Sequence, residues 1–204
     1  MREKANNIDK KCAKYGFDIC SYLDTIENKI NGLLEEVDSI NLVEIVEKVK
    51  NELNGIHQFN EFNTYVKTSE LEKLEQIAEK IQKNSLVNEE KIEKFFKACK
   101  NTISTSAKEY ENAIRKTLGI LTNDGIFATI VWIESNEGDG EYRAIKYQTS
   151  KFLSEIIGNR FSGNPNNLRE EMLNVCNDIH QMFFVKQILE QMLIYALYRA
   201  RSLR

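Results

Sequence analysis

The chain has 204 residues, 42% hydrophobic and 29% charged, enough to bury a sizeable core and ordinary for a globular protein. One proline and nine glycines, set among long Glu/Lys/Gln/Leu/Ile stretches, argue against a turn-rich sheet protein and for an all-α bundle of about six to seven helices in a single domain, 1–204. A net charge of −3 and a pI near 5.6 exclude blanket nucleic-acid coating, but residues 141–204 hold nine Lys/Arg against six acids, so a local polyanion site is compatible with the balance.

Asn7 or Asp9 is placed to cap a first helix, in which Tyr15, Ile19, Tyr22, Leu23 and Ile26 keep one face and Asn31-Gly32 marks the end. Asp38 to Leu53 repeats the pattern through Leu42, Ile45, Val46, Val49 and Leu53. Residues 54–68 have no clean period and read as a short helix or an ordered loop. Ser69, with Glu72 three residues on, forms a capping box for a helix with Leu71, Leu74, Ile77, Ala78 and Ile81 on one stripe. Asn88 then caps a helix running from Glu89 to about Leu121, with NTISTSA at 101–107 as the place for a kink.

Asn123-Asp124-Gly125 reads as a stop, turn and restart. Gly125 accepts positive φ, and Asn123 or Asp124 is expected to cap the helix that follows. The apolar run 126–133 has strand-like composition, but a strand would have nothing to pair with, so a short buried helix is expected. Glu137-Gly138-Asp139-Gly140 is a solvated loop. A helix over 141–157 should bury Tyr142, Ile145, Phe152, Leu153, Ile156 and Ile157 and expose Arg143, Lys146 and Lys151. Residues 158–167, GNRFSGNPNN, form a loop. From Leu168 one long helix is expected to reach the C-terminus, buried through Leu173, Cys176, Ile179, Phe183, Ile188, Leu189, Met192, Leu193, Ala196 and Leu197.

Motifs for chemistry are sparse. His57 and His180 lie in no metalloprotease or Cys-His pattern, no glycine-rich phosphate loop or nucleophile elbow occurs, and NEGDGE lacks the spacing of a calcium loop. The chain is therefore not expected to be an enzyme or to hold a cofactor or metal. Cys12, Cys20, Cys99 and Cys176 are widely spaced among apolar neighbours and read as buried free thiols in a reducing compartment. The N-terminus has no secretory pattern. The most apolar stretch, Met182 to Tyr198, is interrupted by Lys186 and Glu190, so a cytoplasmic protein is expected.

One constellation remains, in which cations are interleaved with rings. Tyr142, Arg143, Lys146, Tyr147 and Lys151 are followed by Arg160 and Phe161, then by Tyr195, Tyr198, Arg199, Arg201 and Arg204. Cations can contact phosphates and rings can stack on bases. The same residues also suit solvated helix faces and helix C-termini.

Three segments, DKKCAKYGFDICSYL (9–23), KTLGILTNDGIFATIVWIES (116–135) and KQILEQMLIYALYRARSLR (186–204), resemble the small all-helical subunit of the type III-B CRISPR effector, the Cmr or RAMP-module complex. Asn123, Gly125, Phe127, Ala128 and Trp132 carry the middle of the resemblance; Glu190, Leu193, Tyr195, Leu197 and Arg199 carry its end. The chain departs from that family in placing Asp124 between Asn123 and Gly125, and in residues 25–92, which look like a helical insertion after the first helix.

The resemblance implies a non-catalytic subunit in antiviral defence. Such a subunit stacks in copies of itself beside RAMP-type subunits and lines the groove where guide and target RNA pair. On that basis Arg143, Lys146, Lys151, Arg199, Arg201 and Arg204 are the expected phosphate contacts, with Lys10, Lys11, Lys14, Arg115 and Lys116 in a second rank. A helical protein adaptor using the 69–118 helices, with no RNA role, is the rival expectation.

Overall fold

A computed structural model of the chain describes residues 2–34, 74, 76, 78 and 89–204. The protein is all-α: the described residues form seven α-helices and one 3-10 turn, with no strand among them. None of these helices is long and apolar enough to cross a membrane. The helices expected over 38–53 and 69–83, the 54–68 connection, the Asn88 cap and His57 lie outside the described residues, apart from three helical positions. Of those, Leu74 and Ala78 are buried and Gln76 is exposed, as the stripe requires.

The first helix of the sequence reading is two. α1 spans Arg2–Asp18 and α2 spans Ser21–Leu34, parted at Ile19–Cys20, where the Cys20 N–H donates to the Phe17 carbonyl at 3.0 Å. No Gly or Pro marks this break. It is held by packing, since both Ile19 and Cys20 are fully buried.

α3, Glu89–Asp124, runs through 101–107 without interruption. The hydroxyls there do not compete with the helix. Thr102 and Thr105 each donate to the carbonyl four residues back, at 3.0 and 2.8 Å, as Thr117 and Thr122 do further along the helix. Phe95, Cys99, Ile103, Ala107, Tyr110, Ile114 and Leu121 are buried along it.

A single residue, Gly125 at φ +91°, separates α3 from α4, Ile126–Ser135. The expected side-chain cap from Asn123 or Asp124 does not form. Instead the Gly125 N–H reaches back to the Ile120 carbonyl at 3.2 Å, and the Gly125 carbonyl accepts both the N–H and the hydroxyl of Thr129. The apolar run is the expected helix, with Ile126, Thr129, Ile130 and Ile133 buried.

α5, Gly140–Ile157, is buried on nearly every side from Tyr142 to Leu153. The Asn164 side chain caps a 3-10 turn at Pro165–Asn167, which leads into α6, Leu168–Cys176. The long C-terminal helix of the sequence reading breaks after α6, and α7 spans Ile179–Ser202. Asp178 makes the restart, its Oδ1 accepting from the N–H groups of His180 and Gln181 at 3.0 and 3.3 Å. The break changes the register. Met172 and Val175 are buried, while Leu173, Ile179 and Phe183, expected in the core, are exposed.

The chain divides into two compact units, one of residues 1–20 and 109–202, the other of 21–108 with 203–204. In the first, α1 lies along α7 and also meets α5; α4 packs on α5 and α6; and α6 joins α7. The second unit buries Leu23, Ile26, Leu74, Ala78, Phe95, Cys99, Ile103 and Ala107. The stretch 25–92 falls within its span.

Candidate functional site

The cations named from the sequence have different surroundings, and the carboxylates beside them decide what each is free to do. Lys146 is the clearest departure. Expected to be exposed, it is 7% accessible and lies between two carboxylates, 3.2 Å from Glu134 Oε1 and hydrogen-bonded to Glu137. Glu134 also pairs with Arg169 of α6. The chain Glu137–Lys146–Glu134–Arg169 thus ties α4, the loop after it, α5 and α6. The cause is the burial of α5: a lysine on a helix covered on most sides has to carry its counter-charge inward. Its neighbours are also held locally, Arg143 donating to the Gly138 carbonyl at 3.4 Å and Lys151 standing over the Tyr147 ring at 5.5 Å. The trio Arg143, Lys146 and Lys151 is therefore not an open row of cations.

A different grouping emerges between α3 and α7. Glu111 of α3 is 3% exposed, and its Oε1 accepts from Arg115 one turn along the same helix and from Arg201 Nε of α7 at 3.1 Å. Two guanidiniums on one carboxylate leave a net positive charge. Their side chains remain 58% and 47% accessible. The carboxylate fixes both guanidinium planes, and this arrangement suits the bidentate recognition of phosphate oxygens. Lys116 follows Arg115 in sequence and is exposed, with no partner among the described residues.

The structure thus joins Arg201 of the first-rank set to Arg115 of the second. Sequence reasoning missed Glu111, the residue that joins them; its i, i+4 spacing to Arg115 was the available signal.

The remaining candidates are dispersed. Arg199 donates to the Ser202 hydroxyl at 3.2 Å, and Lys14 is exposed over the Tyr15 ring at 5.0 Å. Lys11 pairs with Glu155 at 3.2 Å, and Lys10 is exposed. Arg204 belongs to the second unit, where its carbonyl accepts from Ser104.

Other titratable groups serve packing. Burial pushes the Cys12 thiol up to about 11 and the Cys99 thiol up to about 12, so both stay protonated at neutral pH. All four cysteines are free thiols, Cys176 being only half-buried. His180 is exposed at the start of α7. No group of three metal-ligating side chains occurs among the described residues. No protein-family model, curated protein or solved structure matches the chain.

Proposed function

We propose that this chain is a non-catalytic helical subunit of a type III-B CRISPR effector, stacking beside RAMP-type subunits and touching the phosphate backbone of guide or target RNA. One observation carries the reading. The three resembling stretches are far apart in sequence, yet 116–135, residues 9–20 of the first stretch and residues 186–202 of the last belong to the same compact unit. Within it α1 lies along α7, while residues 25–92 fall in the span of the other unit. A shared module with an added segment would divide in this way.

Within the module the phosphate contacts are assigned to Arg115 and Arg201, with Lys116 beside them. Their positive charge survives internal pairing, and phosphate contact needs no base readout.

The test is reconstitution of the effector with Arg115→Glu/Arg201→Glu. RNA retention should fall for every guide sequence, and its salt dependence should flatten by about two units, one per lost contact. Unchanged retention and slope would overturn the assignment. Failure to co-purify with RAMP-type subunits would overturn the family reading.

A second reading, a protein adaptor with no RNA role, is favoured by Ile179 and Phe183, which share a face of α7 and are each 60% exposed. It predicts protein partners without any ultraviolet crosslink to RNA.

A further inference from the structure

The end of α5 and the start of α7 enclose an open hollow of about 330 Å³ in the first unit. Its apolar wall is Ile156 and Ile157 from the last turn of α5 with Phe184 and Val185 from α7, and Arg160 and Gln181 complete the lining. Ile156 and Ile157 are half-buried and Phe184 is exposed, so apolar surface here remains open to water.

Arg160 is one of the cations of this unit, Arg143 among them, that reach no carboxylate among the described residues. Lys11, Arg115, Lys146, Arg169, Lys186 and Arg201 each reach a carboxylate. The Arg160 guanidinium instead donates to the neutral carboxamide of Gln181. Among the described residues, the hollow therefore sets an uncompensated cation against four apolar side chains. Complementarity demands a carboxylate beside an apolar group. The volume lies at the bottom of the range for small-molecule pockets, about 300–1,000 Å³, and is also enough for one anchoring side chain of a partner.

We infer that this hollow docks an amphipathic helix of a partner protein, one apolar side chain entering against Ile156, Ile157 and Phe184 while an Asp or Glu one turn away pairs with Arg160. Helix-in-groove recognition uses this spacing, because residues three or four apart share a helix face. The inference goes beyond the RNA contact and uses neither Arg115 nor Arg201.

The experiment titrates the full-length, ¹⁵N-labelled chain with two synthetic helical peptides of one Ala/Gln host, the first carrying Leu and Asp four residues apart, the second Leu and Lys. The acidic peptide should shift amides of 156–160 and 181–185 and bind about tenfold tighter than the basic one, the size of one charge-assisted hydrogen bond. Arg160→Glu should invert that preference, and Phe184→Ala should weaken both peptides. Both side chains are exposed, and circular dichroism checks the fold; should Phe184→Ala fail that check, the Arg160 charge swap decides alone.

Absence of shifts, or a preference untouched by Arg160→Glu, overturns the proposal. So does tighter binding of 4-phenylbutyrate than of the acidic peptide, which would make this a small-molecule site. Self-association abolished by Phe184→Asp in sedimentation would make the occupant a second copy, with the same result. Arg115→Glu/Arg201→Glu should leave peptide binding intact, which separates this outcome from that of the RNA reading.

Discussion

Gly16 of α1 lies against the Met192 carbonyl of α7 so closely that a Cβ on it would stand 2.4 Å from that oxygen, with Tyr195 Cβ at 2.8 Å and Ala196 N at 2.9 Å. Two of the three atoms are backbone, which cannot swing aside. Gly16→Ala should therefore force the helices apart and cost about 3 kcal/mol, the upper end of overpacking penalties. Gly119, within α3, has nothing within 4 Å of the same construction. Gly119→Ala should stabilise by about 0.5–1 kcal/mol through helix propensity. Urea midpoints measure both, and equal responses would contradict a tight α1–α7 crossing.

Lys146 gives the second expectation. Removing it leaves Glu134, 12% exposed, with Arg169 as its remaining cation. Lys146→Ala should cost on the order of 2 kcal/mol, below the range for a fully buried pair because Glu137 is partly solvated. In the RNA-bound assembly proposed above, this variant should leave the salt dependence of RNA retention unchanged. A flattened slope without loss of stability would return Lys146 to the RNA-contacting set.

Helix type and period were legible because they depend on local apolar spacing, as in Phe95, Cys99, Ile103, Ala107, Tyr110 and Ile114 of α3. Gly125 was legible for a similar reason: its positive φ suits a residue without Cβ. The break at Ile19–Cys20 was not, since two buried apolar residues carry no turn chemistry. The restart at Asp178 had a cap residue, but the apolar stripe through Leu173, Ile179 and Phe183 read as continuous across it. For the cations, residue identity was legible and counter-charge was not. Lys146 and Arg201 look alike on a helix wheel, and only tertiary packing makes Lys146 an internal strut while leaving Arg201 half in solvent.

The four thiols should separate by access. Cys176, half-buried, should react first with a disulfide reagent at about pH 8, although its thiol too is raised by burial. Cys12, Cys20 and Cys99 are buried and should react only as the chain opens in denaturant. A stoichiometry of one thiol in the native protein and four in urea checks this. Fast reaction of Cys12 would contradict its burial under α7, where its Sγ donates to the Ile188 carbonyl at 3.7 Å.

Glu155 gives the chain a defined acid dependence. Its carboxyl lies below the ordinary 4.5, first because the Tyr15 hydroxyl donates to it and then because Lys11 is beside it. A group with a depressed folded pKa contributes stability that is complete above the unfolded value and lost as pH falls through the folded one. The window therefore opens at 4.5 and extends downward. Tyr15→Phe removes the leading cause, so it should destabilise at neutral pH by at most about 1 kcal/mol, the carboxylate being partly solvated. The gap between the parent protein and this variant should narrow as pH falls from about 5 to about 3, because the carboxylate that the hydroxyl stabilises is being protonated in both. Urea midpoints across that range measure the gap, and one that stays constant or widens toward low pH would mean the Tyr15–Glu155 bond does not hold the carboxylate down.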